Sequence, residues 1–172
     1  MPVIATSRLS LREVTEADAE FILALMTEPA YLQHIGDRGL RTVEQARTFI
    51  NERYRASYAR FGYGLYLVEA RQTGRPIGIC GFVRRDSLEH PDIGFAFLRE
   101  HWSQGFAHEA ASAVLDYGFG QLGMKTILGV TSPGNAASIR LLEKLGLRFQ
   151  KMARVPPRED ESMLFSVEAK GA

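Results

Sequence analysis

The residues around Gly105 are of types and spacing that can bind an anion. An alternating strand pattern gives way there to helical periodicity, so a helix begins near Gly105 or Phe106. The free N–H groups and partial positive charge of a helix start attract phosphate. Because glycine has no Cβ, an anion can approach the backbone closely. The sequence therefore predicts an anion-binding helix start at Gly105.

A second group of reactive side chains falls on a strand and a short helix. Asp92, Gly94 and Ala96 share one strand face, and the two small residues leave room beside the carboxylate. Asn135 and Ser138 lie one helical turn apart, so both side chains can face the same way. The plainer interpretations are a solvated strand start for Asp92, a helix N-cap for Asn135 and a backbone-bonded helix residue for Ser138.

Four motifs, in order along the chain, resemble the GNAT N-acetyltransferase superfamily. The loop from Trp102 to Ala107, completed by Glu109, is similar to the acetyl-CoA pyrophosphate loop of the Rim-type branch, which includes ribosomal-protein N-terminal acetyltransferases. Trp102 stands where the general motif has Arg or Gln. The other motifs are Thr6-Ser-Arg-Leu-Ser-Leu-Arg12, Asn135-Ala-Ala-Ser138 and Leu142-Glu-Lys-Leu-Gly146.

The resemblance implies that acetyl-CoA binds as the acyl donor. N–H groups of the loop and helix start would hold its pyrophosphate. Its pantetheine arm would pair with an open strand edge and contact the Asn-x-x-Ser helix. The implied cofactor-binding residues are Phe97, Leu98, Arg99, Gln104, Gly105, Phe106, Ala107, His108, Asn135 and Ser138.

For the reaction, the resemblance implies direct attack of an amine on acetyl-CoA in a ternary complex. Asp92 would accept the amine proton, directly or through a water, and Ser138 would donate to the departing thiol. By analogy with the Rim-type branch, the favoured acceptor is a protein N-terminal α-amine. The alternatives are a small-molecule amine, such as an amino acid or antibiotic, and a non-catalytic acyl-CoA-binding module.

The segment from Tyr31 to Arg41 is interpreted as a substrate loop or broken helix. Its basic character disfavours polyamine and aminoglycoside acceptors. Four side chains are candidates to line the acceptor site, with ordinary packing as the alternative for each: Tyr31, His34, Arg38 and Tyr66.

Two motifs that suggest other chemistry fail on their context. Gly118-Phe-Gly120-Gln-Leu-Gly123 has the spelling of a dinucleotide fingerprint, but it closes a helix instead of opening one. His108-Glu109 begins like a zinc-protease motif, yet Ser112 occupies the place of the second histidine. The sequence therefore predicts no metal. Cys80 is interpreted as a small buried hydrophobe on a strand.

Composition narrows the class of protein. The chain has 172 residues, a net charge of +1 and one cysteine, and it predicts a single domain over residues 1–172. A balanced charge implies no strong attraction to nucleic acid or membranes. The absence of a long apolar run and of a disulfide favours a cytoplasmic location. The resemblance is compatible with a homodimer.

The predicted order of elements is β-α-α-β-β-β-α-β-α-β-β, an α/β or mixed α+β domain. Pro29 is predicted to end the first helix, and a capping box from Thr42 to Gln45 is predicted to open the second. The resemblance implies a twisted, mostly antiparallel sheet flanked by about four helices, with its fourth and fifth strands splayed to hold acetyl-CoA. The predicted strands are Arg8–Val14, Gly64–Arg71, Pro76–Arg84, the strand from Asp92, Lys125–Thr131, Leu147–Val155 and Glu161–Val167.

Overall fold

The sheet provides the frame of the molecule. A computed structural model, which describes residues 2–171, contains one eight-stranded sheet with the order β1-β2-β3-β4-β5-β6-β8-β7. Neighbouring strands are antiparallel except for the parallel pair β5 and β6. The strands are β1 (Ile4–Ala5), β2 (Leu9–Glu13), β3 (Leu65–Ala70), β4 (Pro76–Val83), β5 (Asp92–Phe97), β6 (Thr126–Thr131), β7 (Arg148–Arg154) and β8 (Glu161–Glu168).

Six α-helices flank the sheet in the described part of the chain. A π-helical segment, Ile50–Arg55, joins α3 to α4, and short 3₁₀ turns cover Glu16–Asp18 and Arg99–His101. The helices are α1 (Ala19–Met26), α2 (Pro29–His34), α3 (Val43–Phe49), α4 (Ala56–Phe61), α5 (Phe106–Gly120) and α6 (Ala136–Lys144).

The structure confirms the mixed α/β class and corrects local details at the N-terminal end. The short strand β1 has no counterpart in the sequence prediction. Pro29 was expected to end a helix, but it opens α2, where a missing N–H costs nothing in the first turn. Four of the eleven residues of the expected substrate segment, Tyr31 to His34, are helical, as the broken-helix alternative allows. The capping box that opens α3 is present, because Gln45 N–H donates to Thr42 Oγ1 at 3.1 Å.

Successive side chains of a strand point to opposite faces of the sheet, and each face contributes to its own apolar cluster. Tyr66 and Val68 of β3 pack on the face that α5 covers, whereas Leu67 packs on the face covered by α1 and α3. Buried residues of α5, among them Ala110 and Val114, complete the first cluster. The two clusters hold β5 between them, and this fixes where Asp92 and the start of α5 lie.

The parallel strands β5 and β6 separate after a short contact. They pair only at Asp92 with Leu128 and at Ile93 with Gly129, and the later residues of β5 have no partner on that side. The splay expected between these two central strands is confirmed. It opens a cavity of about 420 Å³ into the middle of the sheet.

Candidate active site

The cavity in the splay joins residues from distant parts of the chain. Its walls come from β5, the start of α5, the end of β6, the start of α6, the end of α2 and the loop between β7 and β8. Ser138 and Gly105 line it, as do Asp92 and Tyr31. The cavity is therefore continuous between the expected cofactor residues and the expected acceptor residues.

Gly105 caps helix α5 in a left-handed conformation. Its φ is +82°, and a Cβ at this position would lie 3.3 Å from Arg8 Nη2. The first α-helical hydrogen bond here runs from Glu109 N–H to the Gly105 carbonyl at 3.0 Å. The preceding N–H groups, of Phe106, Ala107 and His108, consequently have no partner within the helix. All three residues line the cavity, so this helix start can hold an anion there.

Gln104 stands apart from the rest of the predicted pyrophosphate loop. It is exposed and does not line the cavity. Its carbonyl accepts from Arg8 Nη1 at 3.0 Å, and its own amide donates to the Glu100 carbonyl at 3.1 Å. Its contacts therefore shape the loop from outside the cavity.

Thr6 and Arg8 of the N-terminal segment bind Glu109 of α5. This contact, called the latch below, holds the predicted pyrophosphate loop against the N-terminal segment. Arg8 Nε donates to Glu109 Oε1 at 2.7 Å, and the Arg8 N–H and the Thr6 hydroxyl donate to Oε2 at 3.0 and 2.5 Å. The Arg8 guanidinium also lies 4.4 Å from the Phe106 ring centroid. Burial favours the neutral carboxyl, but the hydrogen bonds from Thr6 and Arg8 outweigh it and lower the pKa of Glu109. Sequence reasoning quoted both motifs but missed that they bind each other.

The open edge of β5 lies two positions earlier than the sequence suggests, at Phe95 to Phe97 instead of Phe97 to Arg99. Leu98 N–H already donates to the Ile77 carbonyl at 3.0 Å, and Arg99 N–H donates to Glu28 Oε1 at 2.9 Å. Because an antiparallel ladder alternates, the N–H groups of Phe95 and Phe97 point away from β4, towards the splay. Phe95 is therefore an edge residue that the sequence analysis missed, although the period of two could have found it.

Helix α6 presents two side chains to the cavity from the other wall. Asn135 is its N-cap, since Oδ1 accepts from Ser138 N–H at 3.2 Å. The cap leaves the Asn135 amide NH₂ and the Ser138 hydroxyl without a hydrogen-bond partner within residues 2–171. Both residues line the cavity. The N-cap role and a cofactor contact are thus compatible for Asn135.

Asp92 lies at the junction of β5 and β6, where the splay begins. It is 2% exposed and lines the cavity. Arg85 Nε donates to Oδ1 at 2.9 Å, and Arg85 Nη2 donates to Oδ2 at 3.4 Å. Burial outweighs the attraction of Arg85 and raises the pKa of Asp92. The sequence analysis missed Arg85, which is seven positions away across the β4–β5 connection.

The predicted acceptor residues divide into two groups. Tyr31, His34 and Arg38 line the cavity. Tyr66 does not line it: this side chain is 1% exposed and stacks on Tyr58 with a centroid distance of 5.7 Å. Tyr66 therefore belongs to the apolar cluster around α5 and not to the wall of the cavity.

The other reactive residues have ordinary surroundings. Cys80 is fully buried, and burial raises the pKa of its thiol, which makes it a poor nucleophile. Gly118 to Gly123 close α5 instead of opening a helix. Within residues 2–171 no group of three His, Cys, Asp or Glu side chains is arranged to hold a metal ion. Over the same residues, no helix is long and apolar enough to cross a membrane.

Comparison with known proteins shows which family the sequence matches. The family described as acetyltransferase (GNAT) domain matches residues 8–148. The uncharacterized N-acetyltransferase YoaA of Bacillus subtilis is 36% identical over 151 residues, which cover 87% of this chain and 84% of YoaA.

Two solved structures have similar folds. An acetyltransferase from Agrobacterium tumefaciens superposes with a TM-score of 0.82 and 26% identity, covering 98% of this chain and 95% of its own. RimL, a ribosomal L7/L12 α-N-protein acetyltransferase in complex with coenzyme A, also superposes with a TM-score of 0.82, over 98% of both chains. At 14% identity, the second likeness concerns the fold alone.

Proposed function

Because the chain belongs to the GNAT family of acetyltransferases, and is thus an acetyl-CoA-dependent N-acetyltransferase, we propose that its acceptor is a protein N-terminal α-amine. Transfer takes place by direct attack in a ternary complex. The observation that carries this proposal is the continuity of the cavity from Gly105 to Asp92. A direct transfer requires donor and acceptor to meet in one space, and this cavity supplies it.

Three sets of groups hold the donor. The N–H groups of Phe106, Ala107 and His108 bind the pyrophosphate at the start of α5. The N–H groups of Phe95 and Phe97 pair with the pantetheine amides, as an added strand would. The Asn135 amide donates from the opposite wall.

Two side chains assist the transfer. Asp92 accepts a proton from the attacking amine, directly or through a water, and its raised pKa strengthens it as a base. The Ser138 hydroxyl donates a hydrogen bond to the departing thiolate sulfur, and the proton taken up by Asp92 passes through solvent to that sulfur, which gives the free thiol and restores the Asp92 carboxylate. The amide C–N bond forms, the thioester C–S bond breaks, and no oxidation or reduction takes place.

The pKa of the acceptor favours an α-amine over a lysine side chain. An α-amine has a pKa of about 8, so a useful fraction is neutral at physiological pH, whereas lysine has a pKa of about 10.4. A carboxylate held by Arg85 is a modest base, suited to the less demanding amine. RimL, named for acetylation of an α-amine of a ribosomal protein, has a similar fold and supplies an analogy for this acceptor, but fold alone does not fix the substrate.

Calorimetric titration with acetyl-CoA tests the donor site first. Gly105→Glu places a Cβ and a negative charge where the pyrophosphate binds, so binding should be lost. Gly120→Glu is the matched control, because Gly120 lies at the other end of α5 with open space around it, and it should bind normally. Thermal unfolding of both variants checks that the fold is retained. Failure of the wild-type chain to bind acetyl-CoA would overturn the proposal.

A screen of acceptors tests the proposed acceptor class. Release of free thiol is followed with peptides that carry a free or a blocked N-terminus, and with small amines. We expect thiol release only with a free α-amine. Turnover with small amines alone would replace the protein acceptor by a small molecule. Binding of acetyl-CoA without acetylation of any amine would instead identify a non-catalytic acyl-CoA-binding module.

A further inference from the structure

The cavity is lined by more positively than negatively charged residues. Arg38, Arg85 and Arg158 line it, and Asp92 is the one acidic residue among its lining residues within the described chain. Glu159 and Asp160 follow Arg158 but are exposed and do not line the cavity. The walls therefore carry a formal charge of +2 with histidine neutral, three arginines against one aspartate.

Two of these three charges have no carboxylate partner. Arg85 is paired with Asp92 at 2.9 Å. Arg158 Nη1 donates to the backbone carbonyls of His34 at 3.2 Å and Ile35 at 3.4 Å, which orient the side chain without neutralising it. Asp37, the carboxylate next to Arg38 in the chain, is paired with Arg41 at 2.8 Å, and Arg38 itself makes no hydrogen bond or ion pair with any residue from 2 to 171.

The two unpaired charges line the same cavity and belong to segments that contact each other. Arg158 contacts the end of α2 through the His34 and Ile35 carbonyls, and Arg38 follows Ile35 by three positions. Arg85 Nη1 reaches the carbonyl of Pro156, two positions before Arg158, at 3.5 Å. Guanidinium groups bind carboxylates through two parallel hydrogen bonds, so this corner of the cavity suits a carboxylate.

A buried hydroxyl supplies an independent observation. Ser162 is 0% exposed, lines the same cavity, and its Oγ has no hydrogen-bond partner in the described chain. A buried hydroxyl without a partner is costly, and native proteins rarely keep one that nothing else satisfies. Ser162 is the second residue of β8, just after the loop that carries Arg158, so it can donate to an anion bound there.

We infer that the acceptor carries a carboxylate next to its reacting amine, and that Arg38 and Arg158 bind this carboxylate with help from Ser162. The inference rests on the proposed acetyl transfer and narrows its substrate class to anionic amines. The carboxylate has two chemical sources: an acidic side chain close to the N-terminus of a peptide, or the α-carboxylate of a free amino acid. Cationic acceptors are repelled by the same charges.

Matched acceptors distinguish these sources. Initial rates are measured with peptides identical except for glutamate, glutamine or lysine at the second and third positions, and with serine beside serinamide. We expect kcat/KM to be at least about tenfold higher for the glutamate peptide than for the glutamine peptide, and lowest for the lysine peptide. A preference for serine over serinamide, without a preference among peptides, assigns the carboxylate to a free amino acid.

Variants then assign the preference to its residues. Arg38→Gln should lower the ratio of kcat/KM between the acidic and neutral acceptors at least about fivefold, mainly through KM. Arg38→Lys should restore part of that ratio. Arg60→Gln is the control, because Arg60 is exposed, lies over the Phe61 ring and does not line the cavity. Calorimetric binding of the glutamate peptide to protein saturated with coenzyme A gives a readout independent of turnover.

The outcomes separate the two proposals. Equal rates with acidic, neutral and basic acceptors overturn the inference and leave acetyl transfer standing. An acidic preference that survives Arg38→Gln and Arg158→Gln together overturns the assignment to these arginines. Acetylation of no acceptor, with acetyl-CoA bound, overturns the proposed function and this inference with it.

Discussion

Within residues 2–171, two carboxylate–arginine pairs have a buried carboxylate, and the surroundings of the two carboxylates differ. Asp18 receives two hydrogen bonds from Arg12, at 2.8 and 2.9 Å, and a third from Thr15 N–H at 2.8 Å. Asp92 receives one good hydrogen bond from Arg85 at 2.9 Å and a weaker one at 3.4 Å. Asp18 lies at the start of α1, whereas Asp92 lines the cavity.

Burial opposes ionisation at both sites, but the balance differs. At Asp18 the hydrogen bonds from Arg12 and Thr15 together outweigh burial, and the pKa is lowered. At Asp92 burial outweighs the single arginine, and the pKa is raised. A carboxylate with all its acceptors occupied is structural, whereas one left partly unsatisfied in a cavity keeps its affinity for a proton.

Replacement of Asp92 should have the largest effect on activity. Asp92→Asn keeps the shape but removes the proton acceptor, so we expect kcat to fall about 100-fold, which corresponds to about 2.7 kcal/mol. Single-turnover acetylation at saturating acetyl-CoA measures the chemical step. Unchanged turnover would show that another group or water accepts the proton, and acetyl-CoA binding by the variant controls for loss of the donor site.

Replacement of Asp18 should have the opposite profile. Asp18→Asn weakens the paired hydrogen bonds and leaves Arg12 without its main partner, so we expect a loss of about 2 kcal/mol in the free energy of unfolding. The activity of the folded variant should match that of the wild type, because Asp18 does not line the cavity. Urea unfolding and kcat measured on the same samples test this. A loss of activity without loss of stability would contradict the comparison.

The two carboxylates should respond to pH in opposite directions. The lowered pKa of Asp18 means that its stabilisation is present above the unfolded pKa of about 3.9 and is lost as pH falls through the lower, folded value. The raised pKa of Asp92 means that its contribution is present below the unfolded value and is lost as pH rises through the folded one.

Urea unfolding of the wild type and both asparagine variants, between pH 3 and pH 7, measures these contributions. The stability advantage of the wild type over Asp18→Asn should shrink towards pH 3 by about 1 kcal/mol. The advantage over Asp92→Asn should grow in the same direction. If the stability advantage of the wild type changed with pH in the same direction for both variants, the proposed difference between Asp18 and Asp92 would be wrong.

The exposed pair of Arg8 and Glu109 should give the smallest effect. Arg8 is 46% exposed on its side chain, so solvent screens the pair and we expect Glu109→Gln to cost at most about 1 kcal/mol. Glu100→Gln is the matched control, since Glu100 is exposed and contacts only His101 among charged partners in the described chain. Thermal unfolding compares the two. An equal loss for both would show that the latch contributes nothing specific to stability.

Much of the fold was predictable because its signals are local. The period of two marked the strand around Ile93, Thr42 and Gln45 marked the start of α3, and Gly105 marked the start of α5. Pro29 was misread because proline ends one helix and opens another equally well. The two-residue strand β1 was too short to show a periodic pattern.

The sequence by itself determined the class of the fold, the helix start at Gly105 and the candidates Asp92, Asn135 and Ser138, because their signals lie in residues within a few positions of each other. Only the tertiary structure decided that Glu109 binds Arg8, 101 positions away, and that Arg158 reaches the His34 carbonyl, 124 positions away. The tertiary structure likewise decided that Tyr66 is buried in the core and that Arg85 pairs with Asp92. Contacts between segments this far apart in the chain depend on how helices, loops and strands pack in space, and the local periodicity that marks each element does not specify that packing.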